Sequence, residues 1–228
     1  PMFCYPLMWS FGGSEIDESG KVAINSAATR ASVEFMKEAW EAIYEEGGLS
    51  WDDGSNNRAF LSEQIHTTAN GASIYFVARM KGMDHIADNM SHYMFPKGPG
   101  GQFATSVPLS FCIPKYSKNQ DEAMEWIRYQ LSDDVYTNYI AVQNCFALPR
   151  KPGMEDHPVW NSDPAVSVFA TVPQYGRNFG WPGPFGRKAS EVQSKYIIVD
   201  MYAKAVQGAS IDEAVGWAEK ELKNVYGG

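Results

Sequence analysis

Three segments of this 228-residue chain set aromatic rings beside glycine and small polar groups, a combination suited to holding a polar solute. The first is Trp9-Ser10-Phe11-Gly12-Gly13, where a large ring precedes a tight turn. The second, Ala69-Asn70-Gly71-Ala72-Ser73-Ile74-Tyr75, reads as a strand interrupted by glycine, and such a glycine often marks the close approach of a ligand or another backbone. The third, Asn178-Phe179-Gly180-Trp181-Pro182-Gly183-Pro184, presents two rings on a loop stiffened by prolines. Flat apolar faces with polar rims suit the C–H faces of sugar rings, and aromatic residues make up 14% of this chain. Core packing is the competing role for each ring.

Catalytic patterns do not emerge. There is no GxSxG elbow, phosphate-binding Walker loop, HExxH helix or GxGxxG after a strand. The four histidines, His66, His85, His92 and His157, share no metal-ligand spacing and read as surface or hydrogen-bonded residues. Asp52-Asp53-Gly54-Ser55-Asn56-Asn57 has the outline of a calcium loop but lacks its alternation and distal glutamate, so it reads as a turn into a helix. Asp133-Asp134 reads as a cap, and Glu45-Glu46 as a solvated helix end. Cys4, Cys112 and Cys145 are widely spaced with no CxxC pair and are expected to be small buried hydrophobes. The expectation is a non-enzyme with no cofactor and no metal.

With 44% apolar and 20% charged residues, the composition is that of a globular protein able to bury a core without disulfides. A net charge of −8 argues against partners that need a basic surface, nucleic acid and anionic lipid. No uninterrupted apolar stretch approaches the span of a bilayer; the best candidate, Tyr196 to Val199, is stopped by Asp200. The chain opens Pro-Met-Phe-Cys-Tyr-Pro without a signal-peptide pattern, so it is expected to start downstream of the true N-terminus.

The elements that must position the three segments alternate between strand and helix. Lys21–Ile24 reads as a strand. A helix follows from an Asn25-Ser26 cap to about Glu46, its inner face marked by Val33, Met36, Trp40 and Ile43, with Gly47-Gly48 as its stop. Arg58–Gln64 is a short helix, Thr67–Phe76 a strand and Lys81–Asn89 a polar helical stretch. Residues 94–101 run extended into a Gly/Pro turn, and Thr105–Ile113 is β-like. Two capped helices come next, with Ala123, Trp126, Ile127 and Leu131, then Val135, Tyr136, Tyr139 and Ile140, turned inward. Arg150–Arg187 is a long loop rich in proline and glycine, a length usually reserved for function. Ser190–Gln207 is one helix stopped by Gly208, and Ser210 with Glu213 forms a capping box opening the last helix, whose face is Ala214, Trp217, Ala218 and Leu222. Such alternation predicts an α/β protein.

In this order the segments resemble the family-1 extracellular solute-binding proteins of ABC importers, the group that includes maltose-binding protein. The resemblance is carried by Trp9-Ser10-Phe11-Gly12-Gly13, by Phe60 with Ala69-Asn70-Gly71, and by Phe95-Pro96-Lys97-Gly98-Pro99-Gly100-Gly101. It continues through Ile113-Pro114-Lys115-Tyr116-Ser117-Lys118-Asn119 with Ala123 and Trp126, and ends with Val206-Gln207-Gly208 before Ser210 to Leu222. It implies the periplasmic-binding-protein type II fold, a two-lobed clamp around a ligand cleft, here lacking most of the N-terminal lobe. Residues 1–104 and 150–228 would form one lobe, and 105–149 an excursion into the other whose apolar faces want a partner sheet. By position in the family pattern, the ligand contacts would be Trp9, Ser10, Asn70, Ser73, Tyr75, Tyr175, Arg177, Gly180 and Trp181. Ser73 stands where maltose-binding protein has tryptophan, so the identity of a sugar does not carry over. The implied partners are a small solute, a mono- or oligosaccharide, and the permease subunits of an importer, with a monomeric protein outside the cytoplasm. A non-sugar charged solute (polyamine or phosphodiester) is the competing ligand, and a two-carboxylate glycosidase the competing class.

Overall fold

Ser26 illustrates how local chemistry sets an element: its hydroxyl accepts the Thr29 amide at 3.1 Å, and a 17-residue helix follows. The structure, a computed structural model, describes residues 2–106, 110–143, 154 and 156–227. In chain order the helices are α1 (Cys4–Phe11), α2 (Ala27–Ile43), α3 (Ser55–Leu61), α4 (Ser73–Met80), α5 (Asp84–Ala87), α6 (Gln120–Gln130), α7 (Asp133–Val142), α8 (Val172–Tyr175), α9 (Arg187–Ser194), α10 (Ile197–Val206) and α11 (Ile211–Tyr226). The strands are β1 (Ala104–Thr105) and β2 (Gly176–Arg177), paired in parallel with Thr105 opposite Arg177. The described residues are therefore mostly helical. No helix among them is long and apolar enough to cross a membrane.

The chain divides into two compact units. The first comprises Pro1–Asn70, Met94–Ser106 and Tyr175–Gly228, the second Gly71–Tyr93 and Val107–Gln174. In the first unit α10 packs along α11, and both lie against α2, with α1 joined to α2 and α10. The core they share holds Tyr5, Met8, Trp9, Val33, Ile198, Met201, Tyr202, Val215 and Leu222. On α11 the spacing of Ala214, Val215, Ala218 and Leu222 gives one apolar stripe, and all four are buried. Its capping box is formed as expected: the Ser210 hydroxyl accepts the Glu213 amide while the Glu213 carboxylate accepts the Ser210 amide. Gly208, at φ +107°, follows the end of α10.

Several expected elements take another form. The single helix over Ser190–Gln207 is two helices, because Tyr196 adopts a left-handed backbone at φ +55°. The bend lets Val192 on one side, and Ile197, Ile198 and Met201 on the other, enter the same core. The α2 stripe stops at Met36: Ile43 is exposed, the helix ends there, and Gly47-Gly48 lies in a following 3₁₀ turn. The short helix begins at Ser55 rather than Arg58, started by Asp52, whose carboxylate accepts the Gly54 amide and the Ser55 hydroxyl. Lys21–Ile24 contributes only an isolated bridge between Ile16 and Val22.

In the second unit the strand expected over Thr67–Phe76 is replaced by α4. Ile74, Tyr75 and Ala78 are its buried positions, a helical spacing that outweighs the β-prone residue types. Of Lys81–Asn89, the four residues of α5 are helical, and they pack against α4. Of the β-like run expected over Thr105–Ile113, only Thr105 among the described residues is in a strand, as the second residue of β1 in the first unit, with the adjoining Ser106 amide bonded to the Arg177 carbonyl; residues 107–109 lie outside the described residues. The inward stripe expected on α6 and α7 is only partly covered: Trp126 is 53% exposed, Leu131 and Tyr139 are also exposed, and Ala123, Ile127, Val135 and Tyr136 are half-buried. Ile140 alone in these two helices is buried. Phe111 meets Trp126 edge-on at 5.4 Å. Cys112 is exposed rather than buried, Cys4 is partly covered, and Cys145 lies outside the described residues.

Candidate functional site

The first unit gathers Trp9, Phe103, Arg177 and Trp181 into one cluster. α1 carries Trp9 in its last turn and ends on Gly12, which takes a left-handed φ of +93° so that its amide can bond the Trp9 carbonyl. The Gly98–Gly101 turn is laid directly on this helix end. Its Gly100 amide donates to the Ser10 carbonyl at 2.6 Å, and a β-carbon on Gly98 would stand 2.4 Å from that same oxygen. This close approach explains why residues 98 and 100 are glycine.

Across the cluster, Phe103 and Trp181 lie 5.0 Å apart, and Trp9 meets each of them edge-on at 6.4 and 6.1 Å. The Arg177 guanidinium sits over both rings, 5.5 Å from Phe103 and 5.7 Å from Trp181, where the negative faces of the π systems attract it. Its own strand anchors it: β2 is paired to β1, and Nη1 donates to the Gly176 carbonyl. Gly180 is required beside it, since it takes φ +84° and a β-carbon would come within 2.9 Å of the Ala189 side chain. Trp181 precedes Pro182 through a cis bond.

Two buried polar atoms in this unit have no hydrogen-bond partner, the Trp9 indole Nε1 and the Thr105 hydroxyl. An orphaned donor costs roughly 1–3 kcal/mol, which makes both noteworthy beside an arginine. Phe103 and Thr105 were not among the residues expected from sequence. The apolar run that contains them carries no local sign that one would stack under a guanidinium.

The expected contact residues fall in different settings. Trp9 is wholly enclosed, and Ser10 is buried with its hydroxyl donating to the Leu7 carbonyl at 2.7 Å. Tyr175, Arg177 and Trp181 are each half-buried and reach the surface, while Gly180 is buried. Asn70 donates to the Asn57 side chain at 2.6 Å at the edge of the same unit. Ser73 and Tyr75 belong to the second unit, Ser73 as the first residue of α4. Tyr75 is buried there, its hydroxyl donating to Asp163 at 2.6 Å and accepting from Arg79 Nε at 3.2 Å. Desolvation first, and the Asp163 bond second, raise the pKa of this phenol. Arg79 in turn bridges Asp84 and Asp88. Among the described residues no group of His, Cys, Asp and Glu side chains is arranged to hold a metal ion.

The arrangement is one of stacking and hydrogen bonding. It offers ring faces and a guanidinium, while the two orphaned polar atoms lie enclosed, and among these residues no nucleophile is paired with a base.

Solved structures with the same fold span the whole described chain. MalE3 of T. maritima with maltose bound matches at a TM-score of 0.71 and 22% identity, over 97% of this chain and 56% of that one. A periplasmic-binding protein named for oligosaccharides, from Synechococcus sp. MITs9220 and solved in complex with zinc, matches at 0.67 and 17% identity, over 98% and 57%. A further structure of the Synechococcus protein matches at 0.69 and 18%, over 98% of this chain and 58% of that one. The chain thus spans somewhat over half the length of these structures, and its fold is the two-lobed periplasmic-binding-protein type. No curated protein matches the sequence. The family model described as bacterial extracellular solute-binding protein matches residues 3–168, and the chain belongs to that family.

Proposed function

We propose that this chain carries part of a non-catalytic binding site for a mono- or oligosaccharide, which the protein delivers outside the cytoplasm to the permease of an ABC importer. The observation that supports this most directly is the half-buried Trp181 face with the Arg177 guanidinium held beside it over Phe103. A ring wall of this kind takes the apolar face of a sugar, and a guanidinium supplies several fixed donors to its hydroxyls. Within the same unit Tyr175 and Asn70 extend the set of polar contacts, Gly180 sets the loop that presents Trp181, and the enclosed Trp9 backs its ring.

Ligand-induced stabilisation tests the reading. A sugar present at 100 times its Kd stabilises the protein by about 2.7 kcal/mol. A carbohydrate panel screened by thermal shift is therefore expected to contain at least one sugar that raises Tm, with the shift lost in W181A. A panel of sugars that gives no shift, while an anionic solute gives one that R177A abolishes, would replace the sugar by a charged ligand on the same guanidinium.

A further inference from the structure

Glu15 is the one fully enclosed carboxyl among the described residues, at 0% exposure. Among the described residues no lysine or arginine is paired with it. Instead the Tyr5 hydroxyl donates to Oε2 at 3.0 Å and the Tyr226 hydroxyl to Oε1 at 2.8 Å. Tyr5 belongs to the first turns of α1, and Tyr226 is the last residue of α11, so one side chain ties the two ends of the unit's sequence together. The third neighbour is the Phe179–Trp181 loop. A β-carbon on Gly180 would stand 3.5 Å from Glu15 Oε1, and the Tyr5 ring meets Phe179 edge-on at 4.8 Å.

The surrounding titratable and charged groups leave the carboxyl without a counter-ion. From α1 they are the Cys4 thiol and Tyr5, from α11 Tyr226, and from α9 Lys188, whose Nζ is committed to the Tyr226 carbonyl at 2.7 Å. Asp17, two residues on, turns its carboxylate to Ser19 and to the Lys21 amide.

We propose that Glu15, clasped by the Tyr5 and Tyr226 hydroxyls, is a proton-sensitive latch that fastens the end of α11 and the Trp181 loop to α1. When ionised, its two oxygens accept both hydroxyls. When the carboxyl takes up a proton, that oxygen becomes a donor and a weaker acceptor, and its enclosed O–H is satisfied when one tyrosine turns its own hydrogen elsewhere and accepts instead. Tyr5 is enclosed and its hydroxyl bonds Glu15 alone among the described residues, whereas Tyr226 is half-buried and can turn to water. The Glu15–Tyr226 contact is thus the one that changes with protonation. Burial, partly opposed by the two tyrosine bonds, pushes the carboxyl up to about 7, which brings the change into the range outside a cell. The latch does not depend on the identity of the ligand.

The sign follows from linkage. The folded protein holds this proton more tightly than the unfolded chain, so the contribution of Glu15 is most favourable below about 4.5 and is lost as pH rises to about 7. Thermal unfolding of the chain, E15Q and Y226F from pH 4 to 8.5 tests it. The difference in Tm between the parent and E15Q is expected to change between pH 4.5 and 7 and to level off above. In Y226F the upper end of that change moves to higher pH, because a bond favouring the ionised form is gone. Emission of the folded parent minus that of W181F is expected to titrate with a midpoint near 7. A pH-independent parent-minus-E15Q difference, an unmoved or lowered midpoint in Y226F, or a Trp181 signal flat with pH would each overturn the latch. If E15Q does not fold, the Y226F midpoint and the Trp181 titration decide alone.

Discussion

Gly100→Ala is the sharpest test of how the Gly98–Gly101 turn is seated on α1. A β-carbon at residue 100 would stand 2.4 Å from the Gly12 nitrogen, 2.6 Å from Gly12 Cα and 2.7 Å from the Trp9 carbonyl oxygen. All three are backbone atoms, so no side-chain rotation can relieve the overlap, and the turn must lift from the helix end. Lifting weakens the Gly100–Ser10 hydrogen bond of 2.6 Å and loosens the packing over Trp9. Overpacking a closely fitted site costs about 1–3 kcal/mol, and a weakened hydrogen bond adds about 1 kcal/mol. The sum of about 2–4 kcal/mol corresponds to a Tm lower by roughly 4–16 °C for a chain of this size. Gly216→Ala is the matched control: the residue is exposed in the middle of α11 with nothing near its added methyl, and alanine there stabilises by roughly 1 kcal/mol. Thermal and urea unfolding followed by circular dichroism measure both. A G100A protein as stable as the parent, or one no less stable than G216A, would refute the close seating of the turn.

Two further outcomes follow from single contacts in the core. The Ser32 hydroxyl donates to the Thr29 carbonyl at 2.6 Å and lies 2.7 Å from the enclosed Tyr202 hydroxyl, which must then donate to it. S32A strands that phenol and is expected to cost about 1–3 kcal/mol, Y202F less, and the double variant less than the sum; additive losses in the double-mutant cycle would rule out the bond. S210A removes the side-chain acceptor of the α11 capping box and is expected to cost about 1 kcal/mol by urea unfolding, with S210N retaining most of the stability; equal losses in the two would contradict the cap.

Much of the unit built on α10 and α11 could be read in advance, because the information is local. A serine three residues ahead of a glutamate makes a capping box wherever the chain can turn, and Ala214, Ala218 and Leu222 share a helix face by spacing alone. The Gly98–Gly101 turn and the Asp52 turn were legible for the same reason. The segment Asn70–Tyr75 was not, since its residues suit a strand, while burial of Ile74, Tyr75 and Ala78 on one side requires a helix. Nor could spacing reveal the left-handed backbone at Tyr196, which depends on both halves of that segment reaching one core.

For the candidate site the same division holds. Sequence by itself determined that Arg177 and Trp181 share one loop rich in proline and glycine. Only the tertiary structure decided that Trp9 is enclosed rather than offered to solvent, that Phe103 and Thr105 join Arg177, and that Glu15 is clasped between the two ends of the unit. Tyr226 and Glu15 are 211 residues apart, and a hydrogen bond between them depends on how α1, α9 and α11 pack. Periodicity records which face of an element turns inward. It does not record what that face meets there, and the partners across a core set exposure, charge state and orientation.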